Sequence, residues 1–121
     1  MAKQVTSPKR VLVVDSDDVD ITRICRELPA ETFSLTLVNS PDEAEELIRT
    51  ANFDAALIEV GTPNPRNISL LRRLRSEHPS TKVIMMTDFG DEELWVYMLS
   101  EGASDVVARP VLRRDLERII C

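Results

Sequence analysis

Residues Phe53 to Val60 read FDAALIEV and run straight into the loop Gly61-Thr62-Pro63-Asn64-Pro65. Beyond Asp54 the run is apolar, with a single carboxylate, Glu59, at its far end. In an open parallel sheet, chemistry gathers outside the carboxyl ends of the strands, so a lone acid there is placed to act. Three other apolar runs also close on polar residues: RVLVVDS on Asp15 and Ser16, KVIMMT on Thr87, and DVVAR on Arg109. These runs predict four strand ends converging on Glu59.

The elements around that stretch follow from periodicity. Arg10 to Asp15 reads as a buried first strand. Ile21, Ile24, Cys25 and Leu28 then fall on one helical face, and Pro29 ends or kinks that helix. Ser34 to Asn39 alternates like a half-buried strand and suits a sheet edge. Ser40, Pro41 and Glu43 form a helix start with a capping box, followed by the stripe Ala44, Leu47, Ile48 and Ala51. A helix is expected from Asn67 to Glu77 with Ile68, Leu71 and Leu74 inward, then a strand from Lys82 to Thr87. Asp91 to Glu101 reads as a helix that Gly102 stops in the left-handed region. Ser104 to Ala108 reads as the last strand and Leu112 to Ile120 as the last helix.

Five strands alternating with five helices imply right-handed βαβ crossovers and a parallel sheet covered on both faces. The expected fold is therefore α/β, a flavodoxin-like (βα)5 three-layer sandwich with strand order 2-1-3-4-5. Its crevice lies between the first and third strands, where Asp15, Ser16 and Glu59 would meet.

Composition narrows the function. The 121 residues suit a single domain, 1–121, with 1–9 as a polar, flexible lead-in. Fifteen basic against 21 acidic residues give a net charge of −6, which argues against a general nucleic-acid surface. No apolar run approaches the ~20 residues of a membrane span, and MAKQVTSPKR lacks a signal-peptide core, so the cytoplasm is the expected address. Cys25, on the apolar stripe, reads as a small buried hydrophobe, and Cys121 as exposed. Neither has a disulfide or metal partner at ligand spacing. His78, the single histidine, precedes Pro79 at a helix end and reads as a solvated C-terminal cation.

Four motifs in order, VLVVD, DAALIEVGTPNPRNISLLRRLR, VIMMT and EGASDVVARPV, resemble the receiver domain of bacterial response regulators, from Val11 to Ile120. The resemblance implies a role in two-component signal transduction and phosphorelay, with a histidine kinase or an output protein as partner. The family's phosphoacceptor aspartate closes the third strand; the matching residue here is Glu59. The two adjacent acids that hold Mg²⁺ in the family match Asp15 and Ser16. Its lysine matches Arg109, with Pro110 kept and a cis Arg109–Pro110 bond implied. Its hydroxyl residue matches Thr87, its aromatic switch Val106, and its usual glycine Asn67, which tolerates a left-handed backbone. An alternative register, with one extra residue in Ser16-Asp17-Asp18, brings Asp17 into the place of the second acid.

Each departure has a chemical meaning. The extra methylene of Glu59 pushes its carboxylate roughly 1 Å into the space for metal and phosphoryl, enough to cost on the order of a hundredfold in rate. Ser16 removes a charge from a Mg²⁺ site held by Asp15 and, in the alternative register, Asp17; binding is expected to be absent or weak. Arg109 is planar, bulkier than lysine and suited to pairing Glu59. The leading expectation is a degenerate pseudo-receiver with no enzymatic activity, either inert or fixed in an active-like state. It would act through helix 4, strand 5 and helix 5, where Trp95, Leu99 and Val106 form a candidate partner or homodimer face. Two alternatives stay open: a working phosphoacceptor using Asp15 and Asp17, and a small-ligand or enzyme domain on the same fold. Just three glycines and no Gly-rich phosphate loop weigh against the last.

Overall fold

A computed structural model describes residues 8–60, 65–87, 92–109 and 111–120. Strands β1 (Lys9–Val14), β2 (Phe33–Val38), β3 (Ala55–Val60), β4 (Lys82–Thr87) and β5 (Asp105–Ala108) alternate with five helices. These are α1 (Asp18–Glu27), α2 (Pro41–Ile48), α3 (Pro65–Glu77), α4 (Glu92–Ser100) and α5 (Arg113–Ile120). The strands form one sheet, β2-β1-β3-β4-β5, with every pairing parallel. This is the flavodoxin-like order expected from the alternation.

The two-residue period of each strand divides the interior into two cores. On β3, Ala56, Ile58 and Val60 join Ala44, Ile48, Leu71, Leu74 and Met98 beneath α2, α3 and α4. Ala55 and Leu57 face the other way, toward Ile24, Leu28, Leu116 and Ile120 of the α1 and α5 layer. Leu57 and Ile58 have no exposed surface, and burial of such side chains stabilises by about 1.5–3 kcal/mol each. The fully buried central strand explains why its sequence is almost unbroken apolar.

Local signals set most boundaries. The Ser40 hydroxyl accepts from the Glu43 N–H at 3.3 Å, and Pro41 occupies the first turn of α2. Gly102 stops α4 with φ 110°, and a Cβ there would lie 2.6 Å from Arg75 Cγ. The close approach and the left-handed backbone both require glycine. Strand β1 ends at Val14, although the Asp15 N–H still reaches the Val38 carbonyl at 3.1 Å. Helix α3 starts two residues before Asn67, at Pro65, which suits a first helical position. Lys9 belongs to β1, so the lead-in is shorter than 1–9; residues 1–7, 61–64, 88–91, 110 and 121 lie outside the described residues.

Two expectations are corrected. Cys25 is exposed: the inward stripe of this helix is Ile21, Ile24 and Leu28, and Cys25 falls outside its edge. His78 is not a fully solvated helix-end side chain. Its half-buried ring donates from Nε2 to the Ile48 carbonyl at 2.9 Å, satisfying the C-terminus of the neighbouring α2.

Candidate functional site

The carboxyl ends of β1, β3, β4 and β5 do converge. Asp15, just past β1, is buried; its Oδ1 accepts from the Asp17 N–H at 2.9 Å, and its carbonyl accepts from Asn39 Nδ2 at 3.4 Å. Ser16 turns both its N–H and its hydroxyl onto Glu59 Oε2, at 2.8 and 2.9 Å. Arg109, just past β5, hangs from the buried Thr87 of β4 through its N–H, which donates to the Thr87 carbonyl at 2.8 Å. Its Nη1 stands 3.4 Å from Asp15 Oδ2 and 3.8 Å from Glu59 Oε1.

A fixed guanidinium therefore bridges two carboxylates. The Asp15 side chain is fully buried, with Arg109 at 12% and Glu59 at 20% exposure. Asp15 draws most from this cation, because a buried anion without a partner costs several kcal/mol. The more accessible Glu59 keeps part of its hydration, and Ser16 supplies it with two donors.

Asn67 also belongs here, for a reason the sequence did not give. No non-glycine residue among those described has positive φ, so Asn67 does not take the left-handed backbone expected at a glycine position. Instead its Nδ2 donates to the Glu59 carbonyl at 2.7 Å from the first turns of α3, and the residue is buried. Its signal in the sequence was the amide side chain itself, which a glycine lacks.

Asp17 caps α1: its carbonyl accepts from the Ile21 N–H at 3.0 Å, and its Oδ1 from the Val19 N–H at 2.9 Å. The donor set departs from what Mg²⁺ takes, near-octahedral oxygens at about 2.0–2.1 Å. Asp15 Oδ1, Asp17 Oδ1 and Glu59 Oε2 already accept amide hydrogens, and the remaining oxygens of Asp15 and Glu59 face Arg109. A second cation would stand against a fixed positive charge. Among the described residues, no three His, Cys, Asp or Glu side chains converge as a metal set. Among the described residues, these donors do not form a set that fits the ion.

The second group of predicted residues is only partly brought together at the surface. Leu99 is 47% exposed on α4, but Val106 is core, at 3%, because it points from β5 into the layer under α4. Trp95 is half-buried against that same core, and its indole N–H is buried without an acceptor among the described residues. Trp95, Val106, Leu112, Asp115 and Arg118 line a groove of about 550 Å³ between α4 and α5, and Arg109 forms part of its wall. Val96 and Tyr97, exposed at 66% and 44%, extend the apolar surface of α4 beyond Leu99. Sequence periodicity passed over them because α4 is apolar on more than one face.

Residues 11–121 match the family described as Response regulator receiver domain. The chain belongs to that family. It is 30% identical over 112 residues to the transcriptional regulatory protein ResD of Bacillus subtilis, covering 92% of this chain and 46% of that protein. It is 28% identical over 101 residues to a cyclic di-GMP phosphodiesterase of Thermotoga maritima, covering 84% of this chain and 27% of that one. The receiver thus spans less than half the length of either relative. A crystal structure of a response regulator from Thermotoga maritima superposes with a TM-score of 0.84 at 24% identity, covering 93% of this chain and 98% of that one, and shares the fold. The protein is a receiver domain of two-component signalling, and none of its described helices is long and apolar enough to cross a membrane.

Proposed function

We propose that this receiver is a pseudo-receiver: a cytoplasmic signalling module that acts by binding other proteins, without phosphorylation and without catalytic turnover. The observation that supports this reading is the state of Glu59. Both carboxylate oxygens are engaged, Oε2 by the two donors of Ser16 and Oε1 by Arg109, while its carbonyl is held by Asn67. Phosphoryl transfer needs a nucleophile free for in-line attack and a metal to neutralise developing charge. This carboxylate is held at both oxygens, and no fitting metal set surrounds it among the described residues.

The partner face of this reading is the outer surface of α4 and its groove with α5. Leu99 provides the exposed contact, Trp95 and Val106 the apolar floor, and a kinase, an output protein or a second copy the occupant. The test of the pocket is incubation with a small phosphodonor and Mg²⁺ followed by intact-protein mass spectrometry. No phosphoryl adduct is expected; an adduct mapped to Glu59 or Asp17 would replace this reading with that of a working phosphoacceptor.

A further inference from the structure

The open edge of the sheet at β2 has features that the signalling pocket does not explain. Among the described residues, strand β2 pairs with β1 alone, and its sequence, FSLTLV, holds neither a charge nor a proline. Edge strands are commonly protected by lysine, proline, a bulge or a covering element, and this one has none of the side-chain devices. Leu37, on its open side, is 41% exposed.

The ladder to β1 fixes which groups face outward. The carbonyls of Thr32 and Val38 accept from Lys9 and Asp15, so the even-numbered residues direct their backbone groups inward to β1. Backbone groups of Leu35 and Leu37 consequently project from the open edge, since successive residues of a strand alternate. We propose that this edge is a self-pairing surface, on which β2 of a second copy docks antiparallel about a two-fold axis passing between the two Thr36 residues.

A two-fold axis normal to the sheet preserves its faces, so paired residues must share parity. Centring on Thr36 sets Leu35 opposite the second copy's Leu37, twice, as hydrogen-bonded pairs. Each pair exchanges two main-chain bonds, and exposed Leu37 gains a half-buried leucine as its neighbour on the same face. Thr36 meets Thr36 across the axis, a favourable cross-strand pair. Self-complementarity argues for a second copy as occupant: about this axis every residue of β2 meets an uncharged partner, leucine on leucine and threonine on threonine, and no like charges oppose each other within the strand. The contact is short and falls in the transient class below about 1,200 Å² of total buried area, so it forms at high protein concentration.

The inference stands independently of the pocket and of the α4 face. Its test uses the whole chain with Cys25→Ser and Cys121→Ser as background. Across a non-hydrogen-bonded antiparallel pair the Cα atoms lie about 4.5 Å apart, within disulfide reach. Thr36→Cys should form a covalent dimer under mild oxidation, and Ser34→Cys, set opposite Val38, should not. In sedimentation equilibrium at several hundred micromolar, in a Leu99→Glu background that removes any dimer formed through α4, Leu37→Lys should raise the dimer dissociation constant at least tenfold while circular dichroism stays native. A wild type that stays monomeric, equal cross-linking at positions 34 and 36, or a dimer lost with Leu99→Glu alone or kept with Leu37→Lys in that background would each overturn the proposal.

Discussion

Replacing Arg109 with Met removes the guanidinium and keeps most of the apolar stem, so the change reads out the charge. At an effective dielectric of about 20, unit charges 3.4 Å apart attract by about 5 kcal/mol before desolvation is counted. Arg109 lost part of its hydration on entering the pocket, and that cost is recovered in the variant. Asp15, however, is left buried beside Glu59, and breaking a buried pair of this kind costs about 3–5 kcal/mol. Asp15 keeps the Asp17 N–H, which places the expected loss near the lower end, about 3 kcal/mol. Against a total stability of about 5–15 kcal/mol that is a large fraction. Urea titration followed by far-ultraviolet circular dichroism at pH 7 would show it as a lower midpoint at unchanged slope. A double-mutant cycle with Glu59→Gln should give a smaller coupling, about 1 kcal/mol, because Glu59 is the more exposed partner and keeps its bonds from Ser16. A loss below about 0.5 kcal/mol for Arg109→Met would place it among ordinary surface changes and refute the bridge.

Three further outcomes are expected. Gly102→Ala should lower stability by about 1–3 kcal/mol in the same titration, since the position has φ 110° and Arg75 Cγ stands in the way. Arg72, hydrogen-bonded to Glu101, holds that carboxyl below its ordinary value, so the pair stabilises the fold above the unfolded carboxyl's pKa and ceases to as pH falls through the folded value. The stability difference between wild type and Glu101→Gln should thus be constant from neutral pH down to mildly acidic pH, and vanish in acid; a difference that grows on acidification contradicts the assignment. Finally, Ser16→Asp with Glu59→Asp shortens the acceptor and returns the second acid, so Mg²⁺ titration followed by NMR should show saturation in the double variant at lower concentrations than in the wild type.

The fold was legible because its signals are local and mutually consistent. Buried strands such as AALIEV have few alternative placements, and Ser40, Pro41 and Gly102 mark helix ends by chemistry that does not depend on the rest of the chain. The convergence of Asp15, Ser16, Glu59, Thr87 and Arg109 followed from strand ends alone. What the sequence did not disclose depends on side-chain direction. The glycine-like position of Asn67 points to its backbone, whereas its role is a hydrogen bond donated by its side-chain amide to the Glu59 carbonyl. Cys25 lies one position off the buried stripe, a difference of angle too small for a periodicity to resolve. Val106 belongs to a surface only where α4 leaves β5 uncovered, and a strand's sequence does not show which helix packs over it.

The bond from His78 to Ile48 has a practical use. Donation from Nε2 to a carbonyl fixes the ring proton on that nitrogen, leaving Nδ1 as the unprotonated one in the neutral imidazole. The chain has one histidine, so this ring gives a single imidazole signature in a nitrogen-edited NMR spectrum, free of overlap. That resonance sits at the seam between the last turn of α2 and the end of α3, some distance along the chain from Glu59. It reports whether the two helices stay docked when the opposite end of the sheet is altered, and so separates a local change in the pocket from a loosening of the whole helical layer.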